Sequence, residues 1–454
     1  MKRTGGQTVH RAALALGLTL LVGFCSPAGG SEAASGAAAP VPLQKIIDEA
    51  APGSTISLKA GTYAGPVTID KPLTLVAESE GTVRLVDGGG EHVVSIRSPE
   101  VSLKGLDIAQ SRPGETSAVA VEAGGASLEA LTIRTEGHGI RLREADEATL
   151  RGNRIAWTGD TDTGAGRKSN GIDLYGSHGA RIEANEIDGM RDGIYLENSH
   201  NAEVRDNRVY RSRYGIHCMY ADGTRIVGNE GEGNVTGAMV MGVRDAIVQG
   251  NTFRKQSENV HSQGILLFDV RTSRIEDNVV EGNRVGLYME QSSDNELRRN
   301  GIVRNFIGIQ FLESEGNRFS DNRFVSNVIE AEATDSAGNA MDGNYWDAVR
   351  GLDADGDGRS ELSYPINPFY RKLVDRKPAF QLFFQSPGMV YLSELFSSDR
   401  VEWARDASPL MREPAQFGVG SPSGGGADSL GVGLLGLALF GVSTFILIKG
   451  AGRK

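Results

Sequence analysis

His217 and Met219 stand two residues apart, and 22 residues further on Met239 and Met241 hold the same two places. Imidazole nitrogen and thioether sulfur are borderline and soft donors. Together they select Cu(I) over hard cations such as Ca2+ or Mg2+. Three of the chain's nine methionines fall in this one two-by-two arrangement, which weighs against methionine acting there only as adaptable filler. The competing reading is an apolar strip for protein contact, covered by a partner or by a loop. The two are compatible, because a site that hands on a metal must also dock the recipient.

Two other groups of residues suggest chemistry. Asp353, Asp355, Asp357 and Glu361 alternate around turn glycines like the first half of an EF-hand loop, although Tyr364 stands where that loop closes with an acid. A structural Ca2+ and a plain acidic turn both fit. Asp173 and Glu197, with Tyr195 able to stack on a sugar, are the raw material for a polysaccharide lyase, epimerase or hydrolase, which needs a general base or paired carboxylates along a groove. That carbohydrate enzyme is the alternative to a copper-handling protein.

A repeat must position all of these. Glycine followed by an apolar residue recurs at Gly171, Gly193, Gly215 and Gly237, and again at Gly264, Gly286 and Gly308, in steps of 22 broken by one of 27. An asparagine follows each glycine by 14 residues, from Asn185 to Asn322, with Asn344 closing the series. Between the columns the chain alternates apolar and polar residues, the two-residue period of a strand. One unit cannot bury its apolar side alone, whereas stacked units make a continuous core. The spacing predicts an all-β, right-handed, single-stranded parallel β-helix with an N-terminal helical cap. Asparagines would ladder at one corner. Residues one and three places after the glycine, Cys218 and Met289 among them, would face inward. Those two and four places after it would face out, bringing His217 and Met219 beside Met239 and Met241, with Tyr195, Phe268 and Tyr288 as an apolar surround for a partner.

The ends point to export. Lys2, Arg3 and Arg11 precede the apolar run 12–24, the layout of a signal peptide; bulky Phe24 before Cys25 argues against lipidation. Residues 430–448 carry no charge and are followed by Lys449, Arg453 and Lys454, so a C-terminal transmembrane helix with a cytoplasmic tail is expected. The resulting organisation is 1–39 signal peptide and linker, 40–347 β-helix, and 348–396 acidic loop and aromatic docking segment containing Phe383 and Phe384. Then follow 397–428 linker, 429–449 membrane helix and 450–454 basic tail. With Cys218 the one cysteine beyond the signal, no internal disulfide framework is available. A net charge of −11 argues against a nucleic-acid partner.

The 22-residue repeats resemble the NosD family, the exported maturation proteins of nitrous oxide reductase. So do the rung Arg213-Tyr214-Gly215-Ile216-His217-Cys218-Met219-Tyr220, the segment Gly343-Asn344-Tyr345-Trp346-Asp347 and the tail Phe383-Phe384-Gln385-Ser386-Pro387-Gly388. The resemblance spans about residues 43–396. It implies a periplasmic, non-enzymatic accessory protein that works with a cytoplasmic ATPase and a membrane permease of ABC type. Such a protein would pass copper from a chaperone towards nitrous oxide reductase. The sequence departs from the family at Cys218, where an aromatic is expected, and in its C-terminal apolar segment.

Overall fold

In a computed structural model, the described residues are 39–160, 168–256, 259, 262–336, 338–366 and 405–414, with isolated positions between 373 and 395. They coil into three walls of 14, 12 and 15 strands, a right-handed β-helix whose strands are parallel except for Tyr364–Pro365, antiparallel to Arg405–Asp406. From Asp192 to Val325 each turn runs through a six-residue strand such as Tyr214–Met219, then two three-residue strands, here Arg225–Val227 and Glu230–Glu232. Every strand of the coil pairs with its counterparts one turn away. The turn below aligns Tyr195 with His217, and the turn above aligns His217 with Met239 and Met219 with Met241.

The inward column two strand positions beyond the glycine-following residue is as expected: Leu174, Leu196, Cys218, Val240, Leu267, Met289 and Phe311 are all buried. Each such side chain contributes roughly 1.5–3 kcal/mol by leaving water. Cys218 is one of them, and burial pushes its thiol up to about 12, so it packs as a small apolar group.

The glycine column exists because successive coils touch there. A Cβ at Gly215 would lie 2.5 Å from the carbonyl oxygen of Gly237, and one at Gly193 would lie 2.2 Å from a methyl of Val209 in the core. The glycine and the residue after it therefore both face inward, and the strict alternation slips by one place. The residue before the glycine consequently lies on the outer wall. Val285, Ile307 and Ile329 show this, forming an apolar cluster separate from the core with Tyr288, Phe306 and Val328 against it.

The asparagine ladder runs unbroken from Asn153 to Asn344. Asn229 Oδ1 accepts the backbone N–H and the side-chain amide of Asn207 at 2.9 and 3.0 Å, while its own amide donates to Val204 O and Asn251 Oδ1. Helix Leu43–Glu49 closes the first coil by burying Leu43 and Ile47. At the other end Trp346 stacks on Phe324 with ring centroids 3.9 Å apart. Asp406, wholly buried, takes the place of the next ladder asparagine: its carboxylate accepts from Gly343 N, Asn344 N, Asn344 Nδ2 and Trp346 Nε1 at 2.8–3.0 Å. Residues 405–414, within the stretch expected as a linker, thus return to the coil. Strand Arg405–Asp406 joins the wall beside Met341 because the last coil leaves donors that need an acceptor.

Among the described residues no helix is long and apolar enough to cross a membrane. The apolar run 430–448, the signal segment with Cys25, and Phe383 and Phe384 lie outside the described residues.

Candidate metal site on the outer wall

His217, Met219, Met239 and Met241 share one patch of the 12-stranded wall, with Met239 and Met241 followed in register by Leu266 and Phe268. Neighbouring strands lie about 4.8 Å apart and alternate residues about 7 Å apart, spans that flexible thioethers can close. The patch is less open than strict alternation suggests. His217 is only 6 % exposed and Met239 8 %, while Met219, Met241, Phe268 and Tyr195 are half-buried. The imidazole is covered because Tyr195 and Tyr214 flank it, each with its ring centroid 4.9 Å away.

Below the imidazole lies a carboxylate that sequence reasoning missed. His217 Nδ1 is 3.0 Å from Asp192 Oδ2, and Arg213 grips the same carboxylate through Nε at 2.8 Å and a terminal nitrogen at 2.7 Å. Burial pushes the Asp192 carboxyl up, and the hydrogen bonds from His217 and Arg213 more than reverse this, leaving it below its ordinary value. Arg213 can only donate and faces both Asp192 oxygens, so the carboxylate meets His217 Nδ1 as an acceptor. His217 Nε2 is buried and has no hydrogen-bond partner among the described residues. An unpaired buried nitrogen costs roughly 1–3 kcal/mol, so a lone pair left bare in this way is a feature to be explained. A soft cation would satisfy it. Imidazole bearing a carboxylate on one nitrogen and a metal on the other is the common arrangement of metal-bound histidine. The residues fit copper.

Tyr195 and Tyr288 border the patch, each phenol donating to a glutamate on its own strand: Glu197 at 2.8 Å and Glu290 at 2.9 Å. The Tyr195 hydroxyl also lies 3.7 Å from Met219 Sδ. Burial and these carboxylates raise both phenols, Tyr288 to about 12, so neither ionises at working pH. Tyr220 is about half exposed, adopts φ 51° and lies over Gly242, whose missing side chain leaves room for the ring.

The carboxylates of the carbohydrate reading are already committed. Asp173 is buried, bonded to Arg143 at 2.6 Å and Asn170 at 2.6 Å, with His138 Nδ1 at 3.5 Å. Glu197 receives the Tyr195 hydroxyl. In the acidic loop, Asp353, Asp355 and Glu361 bring carboxylate oxygens within 4.8 Å of one another. Asp357 is not in that group; its oxygen accepts from Arg359 N at 2.7 Å. Glu361 receives Ala354 N at 2.9 Å and Asp353 receives Gly356 N at 2.7 Å, so backbone donors hold the loop together.

Residues 156–351 match the family model described as periplasmic copper-binding protein (NosD). The chain is 30% identical over 405 residues, 79% of its own length and 88% of the relative's, to a probable ABC transporter binding protein NosD of Pseudomonas aeruginosa. It is 27% identical over 404 residues to the protein so named of Stutzerimonas stutzeri, covering 87% of it. Among solved structures it resembles a GH87 α-1,3-glucanase catalytic domain at TM-score 0.55 and 12% identity, over 64% of this chain and 65% of that one. It also resembles a family 28 exopolygalacturonase of Yersinia enterocolitica at TM-score 0.51 and 10% identity, over 66% and 75%. At these identities the likeness is one of fold.

Proposed function

This chain belongs to the NosD family, and from that premise we propose that it is an extracytoplasmic accessory protein that holds Cu(I) on its outer wall and passes it on. The observation that carries the reading is the bare Nε2 of His217, a residue in register with Met239 on the strand pair that also aligns Met219 with Met241. One imidazole and three thioethers favour the reduced ion, and ligands on a wall rather than in a closed cage suit transfer. Copper would arrive from a chaperone and leave towards nitrous oxide reductase. An ABC-type permease and ATPase would be the working partners, in keeping with the relatives' name. Tyr195, Phe268 and Tyr288, with Phe383 and Phe384 of the tail, would supply docking surface, and 430–448 would hold the body at the membrane. The Asp353, Asp355 and Glu361 oxygens would take a hard cation such as Ca2+, with Asp357 outside the cluster. No hydrolytic or lyase activity is proposed, because Asp173 and Glu197 are both engaged.

The test is competition for Cu(I) against a colorimetric chelator under reducing conditions, comparing wild type with Met239→Leu/Met241→Leu. Met-to-Leu exchange keeps volume and removes sulfur, at a stability cost under about 1.5 kcal/mol. Cu(I) affinity should fall by about tenfold or more, a loss of about 1.4 kcal/mol in binding. A wild type that takes up no Cu(I), or a double variant that binds as tightly, ends the proposal.

A further inference from the structure

On the copper reading, on which it rests, we propose that Asp192 and Arg213 are positioning residues: they lock His217 as the Nδ1–H tautomer, so that Nε2 alone presents a lone pair to the metal. Asp192 sits immediately before Gly193, in the turn below the patch, where the slip in alternation brings it onto the outer wall. It is 1 % exposed, so its charge needs a partner, and the two-point grip of Arg213 supplies one while fixing the plane of the carboxylate. Arg213 is held in turn over the Tyr214 ring, 4.4 Å from its centroid, and Tyr214 is one of the two rings against His217. The two tyrosine rings and the Asp192 carboxylate, itself held by Arg213, together orient the imidazole. The carboxylate decides the proton's place because it has no hydrogen to offer.

An amide in place of Asp192 removes that decision. Its N–H2 can donate to Nδ1, which moves the imidazole proton to Nε2 and blocks the donor meant for copper. Metal-free, full-length protein labelled with 15N-histidine reports the tautomer directly, with the His217 signals assigned by their loss in His217→Gln. Wild type should show protonated Nδ1 and unprotonated Nε2. Asp192→Asn should populate the Nε2–H form and bind Cu(I) about 10- to 100-fold more weakly, the usual loss when a ligand's carboxylate support is removed. Asp192→Asn/Arg213→Gln, which leaves no unpaired charge, separates this effect from misfolding and should show the same shift and loss. Nε2–H His217 in wild type overturns the inference whatever copper does. Undiminished affinity in both Asp192 variants, with affinity lost in Met239→Leu/Met241→Leu, overturns it while the copper patch stands. A wild type with the Nδ1–H tautomer but no Cu(I) uptake fails the copper reading itself, and this positioning role falls with it.

Discussion

The asparagine ladder and the His217 patch are both stacks generated by one 22-residue registry, yet they treat their polar atoms in opposite ways. Along the ladder every amide is spent: Asn207, Asn229 and Asn251 each donate to the next rung and to a backbone carbonyl, deep in the wall. In the patch, one nitrogen of His217 is held by Asp192 and the other is buried with nothing to meet it. A fully paired column stabilises a scaffold and has no capacity left for a ligand. A column with one bare donor atom gives up stability and gains a binding valence. The outer wall repeats the lesson along its length. Its column before the glycine is polar at His138 and Asp192 and apolar at Val285, Ile307 and Ile329, so polar and apolar stretches follow one another on one face.

That contrast can be broken most forcefully in the ladder. Asn229→Ala leaves the N–H and amide of Asn207 facing a methyl group, two buried donors without acceptors. Stability should fall by roughly 3–5 kcal/mol, read as the shift in denaturant midpoint. A loss below about 1 kcal/mol would mean the ladder is ornamental.

The second effect lies where the stack ends. Glu330 occupies the glycine position of the last described coil and accepts the Tyr364 hydroxyl at 2.6 Å. Burial, offset in part by that hydrogen bond, raises its carboxyl to about 7. A carboxyl raised on folding favours the folded state while protonated. Its contribution is complete below the unfolded value of 4.5 and is lost as pH rises through about 7. Glu330→Gln should therefore match wild type near pH 4 and exceed it by roughly 1–3 kcal/mol near pH 8. Thermal midpoints at the two pH values check this, and equal pH slopes would refute it.

The smallest effect sharpens the other side. His217→Leu removes a hydrogen bond to Asp192 but also the unpaired nitrogen, and Asp192 keeps Arg213. The midpoint should move by about 1 kcal/mol or less, while Cu(I) binding drops. A fall as large as that of Asn229→Ala would make His217 a structural residue and erase the difference between the two columns.

Sequence alone determined the coil, its register and the neighbourhood of His217, Met219, Met239 and Met241. Parallel stacking at a constant period turns equal offsets into spatial contact, and asparagine at a fixed offset has one way to satisfy its amide in such a stack. Only the tertiary structure brought Asp192 and Arg213 to His217. Strict two-residue alternation assigns the position before the glycine to the interior. The close approach of Gly193 to the next coil shifts the phase by one residue and turns that side chain outward. The return of Asp406 to finish the ladder was equally illegible, because nothing local in residues 397–414 announces an acceptor for donors left 62 residues earlier. Local period is written in side-chain type; where it slips, and what closes its ends, depends on which backbone lies next door.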